Sequence, residues 1–293
     1  MLTHTSEIAV DQAAGLRRMV QPHPVKVVAV TGGKGGVGKT SVSINLATAL
    51  AQHGKAVMLM DADLGLANVD VLLGLTSRYN LSHVITGEST LADIIVEGPA
   101  GVKIIPAASG KHNMINLTAA EHSGLIHAFG ELDHGVDVLL VDTAAGISDS
   151  VITFTRAAHE VVVVVCDEPA SVTDAYALIK ILNRDNGVER FHVLANMTTS
   201  AYEGQALFKK LSRVAQRFLD VTLNFMGAIP HDDYLRKAIQ RQQTVMEAFP
   251  RSRSAVAFRK LAEKTDRLPL PSTASGQLEF FVERLIMSGC SAG

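Results

Sequence analysis

The chain has 293 residues, 27 Lys and Arg against 29 Asp and Glu, and 47% hydrophobic positions. That length holds one large α/β domain or two small ones, and the apolar fraction excludes a disordered chain. A formal net charge of -2 argues against holding nucleic acid by bulk charge, and two cysteines, Cys166 and Cys290, support neither a disulfide framework nor a cysteine metal site.

In chain order, the first 24 residues are a polar lead in which Val10–Val20 predicts a short helix closed by Gln21-Pro22-His23-Pro24. The lead carries Glu7 and Asp11 and lacks a secretory apolar stretch, so the expected location is the reducing cytoplasm. Short β-branched runs then predict strands near Val25–Thr31, Ala56–Asp61, Val102–Pro106, Val136–Asp142, Val161–Cys166, Phe191–Asn196 and Leu223–Ile229. Helices are predicted between them near Thr40–Gln52, Ala119–Phe129, Ser148–Ala157, Val172–Asn186 and Gln205–Phe218. Several strands are apolar without alternation, as in strands covered on both faces. The expected fold is α/β, a mainly parallel sheet with helices on both faces.

Leu268–Gly276 reads as a linker, because Pro, Ser and Gly break regular structure. After it, Leu278, Phe281, Val282, Leu285 and Ile286 recur on one face of a helix predicted over Gln277–Met287. Such a helix can lie in a membrane interface or pack on the domain as a last core helix. Its acids Glu279 and Glu283 outnumber its base Arg284, so lipid binding would rest on apolar insertion. No apolar run approaches the roughly 20 residues needed to span a bilayer.

The segment with most chemical content is Gly33-Lys34-Gly35-Gly36-Val37-Gly38-Lys39-Thr40-Ser41, between the first strand and the first long helix. It satisfies the P-loop pattern in its strand–loop–helix context. Glycines let backbone N–H groups wrap a phosphate, and the helix N-terminus adds positive potential. Lys39 would then reach the outer phosphates of a bound nucleotide, and the Thr40 hydroxyl would bind Mg²⁺. Asp61 and Asp63 stand at the carboxyl end of the second strand, where ligands of open α/β sheets sit. Val138–Asp142 is an apolar strand ending in an acid, a Walker B arrangement that assigns Asp142 to the Mg²⁺ shell.

The second lysine makes the loop more specific. Lys34-Gly35-Gly36-Val37-Gly38-Lys39-Thr40 resembles the deviant Walker A motif of the MinD/ParA ATPases, P-loop NTPases of the SIMIBI type. The resemblance implies a homodimer when ATP is bound, with Lys34 crossing the interface to the partner's nucleotide. It implies that Asp63 orients the attacking water, that Asp61 supports Mg²⁺, and that Asn196 and Pro230 border the adenine. It places Glu168 and Asp174 at the dimer interface.

Asp61–Asp70, Asp142–Gly146, Cys166–Pro169 and Glu247–Pro250 are similar to the flagellar FlhG/FleN branch of that family. Asp11-Gln12-Ala13-Ala14-Gly15-Leu16-Arg17 resembles an N-terminal element of the same branch, which implies binding of an FlhF-type GTPase through Asp11, Gln12, Leu16 and Arg17. The branch further implies restraint of a flagellar transcription activator of the FleQ/FlrA type, and peripheral residence at the inner face of the cell membrane. The expected division is a partner element at 1–24, an ATPase domain at 25–267, a linker at 268–276 and a membrane-targeting tail at 277–293. A ParA-like DNA-partitioning ATPase stays open, because residues 201–265 hold 12 Lys and Arg against 6 Asp and Glu. Sequence-specific DNA binding is not expected.

Overall fold

Strands with both faces apolar bury their backbone, whose N–H and C=O groups must then pair with neighbours in a continuous sheet. The computed structural model describes residues 24–63, 68–107, 119–130, 132, 135–270 and 281–286. In it β1 (Lys26–Thr31), β2 (Val57–Ala62), β5 (Val138–Thr143) and β6 (Glu160–Val165) are buried at every position. With β3 (Val96–Glu97), β4 (Lys103–Ile105), β7 (Arg190–Thr198) and β8 (Thr222–Pro230) they form an eight-stranded sheet of order β3-β4-β2-β5-β1-β6-β7-β8. Every pairing is parallel except β3 with β4. The two central neighbours of β1 bring Val30 beside Asp142 and Thr31 beside Val163 at the carboxyl edge.

Alternate residues of each strand feed opposite layers. Val28 and Val30 point toward α1 (Lys39–Gln52) and α11 (Arg253–Asp266), where Leu46, Leu50, Phe258 and Leu261 complete one core. Val27 and Ala29 point to the other face, under α5 (Ala119–Gly130) and α6 (Asp149–Ala157), with Leu125, Phe129 and Phe154. Farther along that face, α7 (Pro169–Arg184) and α8 (Ala201–Phe218) cover β6 and β7 through Leu178, Leu182, Leu207 and Leu211. Short helices α2 (Val69–Leu73), α3 (Leu81–Ile85), α4 (Leu91–Ile94), α9 (Asp233–Gln240) and α10 (Val245–Ala248) fill the connections. Hydroxyls of Ser200, Thr244 and Ser252 cap α8, α10 and α11 by accepting from backbone N–H groups one turn on.

β8 is an edge strand. Its register against β7 shifts between Val193 and Leu194, opposite Gly227, and Lys264 Nζ donates to the Met226 carbonyl at 3.0 Å.

Of the two placements open to the terminal helix, residues 281–286 take the one on the domain in this structure. Phe281, Val282 and Leu285 are 0, 1 and 4% exposed and join the core formed by Val27, Leu139, Phe154 and Ala158. Ile286 packs on the margin of the same cluster. The physical reason is that a one-sided apolar stripe suits a half-covered sheet layer as well as it suits lipid, and the layer beside α5 and α6 is within reach. Arg284 fastens the helix by donating to the carbonyls of Arg156 and Ala158, both at 2.9 Å, at the carboxyl end of α6 where a cation is favoured. Leu278, the N-terminal residues Asp11, Gln12, Leu16 and Arg17, and most of the 268–276 linker lie outside the described residues. Among the described residues no helix is long and apolar enough to cross a membrane.

Removing a fully buried aromatic ring leaves a cavity as well as losing its transfer free energy. Phe281→Ala is therefore expected to destabilise the protein by about 3 kcal/mol, read from urea unfolding. An unchanged midpoint would show that the docked helix contributes nothing to the fold.

Candidate nucleotide-binding site

The turn between Thr31 and Lys39 sits over the carboxyl edge of the sheet and is shaped by its glycines. Gly38 has φ +86°, a left-handed conformation that costs other residues energy, and a Cβ there would lie 2.5 Å from Asn196 Nδ2. At Gly33 a Cβ would collide with the Asp174 carbonyl in α7. The Val37 carbonyl accepts from Asn196 Nδ2 at 2.8 Å and from Cys166 Sγ at 3.7 Å, so the ends of β6 and β7 brace the turn. Burial among these groups pushes the Cys166 thiol up to about 11, which keeps it protonated and unreactive.

Behind the turn three carboxylates and one ammonium are gathered. Lys39 is buried, and burial lowers its pKa against the opposing pull of Asp142 and Asp63. Asp142 is fully buried and its carboxyl is raised to about 7, first by burial and further by the charge of Asp61, its neighbour in the β2–β5 register. Its Oδ1 accepts from Ser43 Oγ at 2.8 Å, and the Thr40 hydroxyl also faces the carboxylate. Asp142 Oδ2 and Ser41 Oγ are buried with no hydrogen-bond partner among the described residues. A buried carboxylate oxygen without a donor is costly unless a cation or a donor meets it. Thr40 and Asp142 thus fit a hard divalent cation, which takes oxygen ligands and shares them with phosphate.

Asp61 is placed beside Asp142 but its oxygens are engaged by the backbone. Oδ1 accepts from Asp63 N at 3.0 Å, and Oδ2 from Asn68 N at 3.0 Å and Val69 N at 3.1 Å. It pins the chain after β2 and caps α2. Burial nevertheless outweighs these donors and raises its carboxyl to about 6. Asp63 Oδ2 accepts from Asn68 Nδ2 at 3.1 Å. On the outer side of the turn, Lys34 Nζ lies 2.7 Å from Glu168 Oε2, an exposed pair whose hydrogen bond raises the Lys34 pKa, with Asp174 adding charge nearby. Pro230 ends β8 opposite Thr198, two strands out from β6 on the same edge.

Sequence reading missed Ser43 and the bracing role of Asn196. Ser43 carries a local signal, since it follows Lys39 by one helical turn and so shares its face of α1. The bracing by Asn196 comes only from tertiary packing.

Raised carboxyl values make stability depend on pH in a definite direction. Asp61 and Asp142 hold protons more tightly folded than unfolded, so nucleotide-free protein loses stability as pH rises from about 4 through about 7. The slope is at most about 1.4 kcal/mol per pH unit for each group. Urea midpoints across this range are expected to fall with pH in the parent protein and to fall less in Asp142→Asn.

Comparison with known proteins identifies the family. A family model described as "ParA: NUBPL iron-transfer P-loop NTPase" matches residues 24–266. Antiactivator FleN of Pseudomonas aeruginosa is 60% identical over 271 residues, 92% of this chain and 97% of that protein. Flagellum site-determining protein YlxH of Helicobacter pylori is 34% identical over 269 residues, 89% of this chain and 90% of that protein. Among solved structures, the septum site-determining protein MinD complexed with Mg-ADP from Pyrococcus horikoshii is 26% identical, with a TM-score of 0.65 over 83% of this chain and 97% of that one. With its parallel sheet, its two-lysine phosphate loop and a match that runs from the start of β1 to the end of α11, the chain belongs to the MinD/ParA family of P-loop NTPases.

Proposed function

We propose that the chain is a Mg-ATP-dependent dimerisation switch with slow hydrolysis that limits flagellar number by restraining a flagellar transcription activator. The observation that carries the chemical half is the buried Asp142 oxygen that meets no donor among the described residues, behind a glycine-shaped phosphate loop. The 60% identity to an antiactivator carries the biological half.

In this reading Lys39 meets the outer phosphates as a desolvated point charge, and the loop backbone holds the inner ones. Thr40 and Asp142 hold Mg²⁺, with Ser43 fixing the rotamer of Asp142 through its 2.8 Å hydrogen bond. Mg²⁺, when bound, neutralises charge on the phosphate oxygens. Asp63, at the carboxyl end of β2, orients the attacking water, and Asp61 holds the chain that follows it. Asn196 and Pro230 border the base. Lys34 is stored against Glu168 in the single chain and leaves it to reach the partner's nucleotide, with Glu168 and Asp174 then at the subunit interface. Residues Asp11, Gln12, Leu16 and Arg17 contact an FlhF-type GTPase. Membrane residence at the inner face of the cell envelope requires the terminal helix to leave its core position.

Three substitutions separate these roles. Lys39→Ala is expected to abolish ATP binding in calorimetry, and near-normal affinity would remove the phosphate-loop assignment. Asp63→Ala is expected to bind ATP and accumulate as a dimer on a sizing column, whereas a monomer hydrolysing at the parent rate would reassign Asp63. Lys34→Ala is expected to bind ATP yet lose turnover by about 10²–10³-fold, the usual cost of one charge-stabilising donor, with fewer dimers. Parent-like turnover would leave Lys34 with only its contact to Glu168.

A further inference from the structure

At the amino edge of the sheet, opposite the phosphate loop, a cavity of about 760 Å³ opens between the end of α6, the start of β6, the turn before β7 and the terminal helical residues. That volume lies within the range that small-molecule sites occupy. Three arginines line it: Arg156, Arg190 and Arg284. Arg284 is partly buried, and its guanidinium meets only the carbonyls of Arg156 and Ala158 among the described residues. The Arg156 guanidinium makes no hydrogen bond or ion pair among the described residues, although it borders the same space.

Among the described residues only Arg190 of the three has a carboxylate, Glu160 Oε1 at 3.0 Å, and the other oxygen of Glu160 lies 2.7 Å from His192 Nε2. The remaining acid of the wall is Glu189, exposed on the turn. His159 also borders the cavity, and its Nδ1 accepts from Val27 N at 3.1 Å, so the neutral ring carries its proton on Nε2. Cationic donors therefore outnumber carboxylates. Two guanidiniums with no acidic partner among the described residues border one space, and an anion that joins them is attracted by both. Planar guanidinium forks match the oxygens of phosphate in paired hydrogen bonds.

We propose that the cavity framed by Arg156, Arg190 and Arg284 binds a soluble phosphate-bearing small molecule, and that its occupancy holds the terminal helix docked. The ligand is soluble because Arg284 reaches the cavity only while Phe281, Val282 and Leu285 are turned into the core, away from any lipid. Coupling follows from geometry. Undocking the helix carries Arg284 away and removes one wall, so a ligand that needs that wall favours the docked state by mass action. Nothing in this site depends on the phosphate loop being a nucleotide site.

The test uses the full chain with ADP and Mg²⁺ present and inorganic phosphate as probe, with chloride at matched ionic strength as the control. Phosphate is expected to raise the melting temperature saturably and to slow hydrogen exchange at residues 281–286. Arg156→Gln and Arg284→Gln are each expected to weaken the apparent affinity at least about tenfold, the loss of one charge-assisted contact. Arg156→Gln removes no described contact and keeps the fold, while Arg156→Lys retains the charge and is expected to fall between parent and Gln. Lys39→Ala, tested without nucleotide, is expected to keep the phosphate response. A response that does not saturate, one equal in both Gln variants and parent, or one lost in Lys39→Ala alone would overturn the site. Saturable binding with unchanged exchange at 281–286 would overturn its coupling to the helix.

Discussion

A carboxylate with no access to water has to be compensated by its neighbours, and Asp142 is that constraint here. It is fully buried at the end of β5, between β1 and β2, with Lys39 and Ser43 of α1 on one side and Asp61 on the other. These neighbours come from separate parts of the chain. Ser43 and Lys39 come from the helix that the phosphate loop launches, Asp61 from β2, and the loop itself is braced from β6 and β7 through the Val37 carbonyl. The central strands and α1 are therefore locked in one arrangement by a polar cluster rather than by apolar packing alone. The raised carboxyl values of Asp61 and Asp142 record above all the burial of both groups, to which the charge of Asp63 adds at Asp61 and that of Asp61 at Asp142.

The phosphate loop and the parallel sheet were legible in the sequence because both rest on local rules. A strand that is apolar at every position, such as Glu160–Val165 after its first residue, has few alternatives, and the glycine–lysine spacing of residues 33–40 has fewer. What escaped was decided by tertiary packing. The helix Arg253–Asp266 is polar on average, with the apolar residues Ala255, Phe258, Leu261 and Ala262 buried among Arg, Lys and Glu, so it does not stand out as a core element although it covers α1. The two-residue strand β3 exists only because Val96 lies beside Ile104. The terminal helix was legible as amphipathic, but amphipathicity does not say which apolar phase receives the face. Asp61 shows the same limit for charge: its position at a strand end was legible, its engagement with three backbone N–H groups was not.

Exposed and buried charge play different parts around the loop. The Lys34–Glu168 pair is 39 and 61% exposed, and pairs of that kind contribute little to stability. Lys39 by contrast is desolvated and loses much if its partners are removed. An ammonium that can leave its carboxylate at small cost is suited to movement, and one that cannot is suited to holding a ligand in place.

The outer edge of the sheet has a consequence for assembly. An unpaired strand nine residues long would ordinarily offer its backbone to any passing strand, and β8 is of that length. The register shift opposite Val193 and Leu194 breaks the regularity of the strand, and the Lys264 ammonium already holds the Met226 carbonyl. At the opposite margin β3 is too short to template anything. Two copies of this chain therefore have no easy way to fuse their sheets into one continuous ribbon.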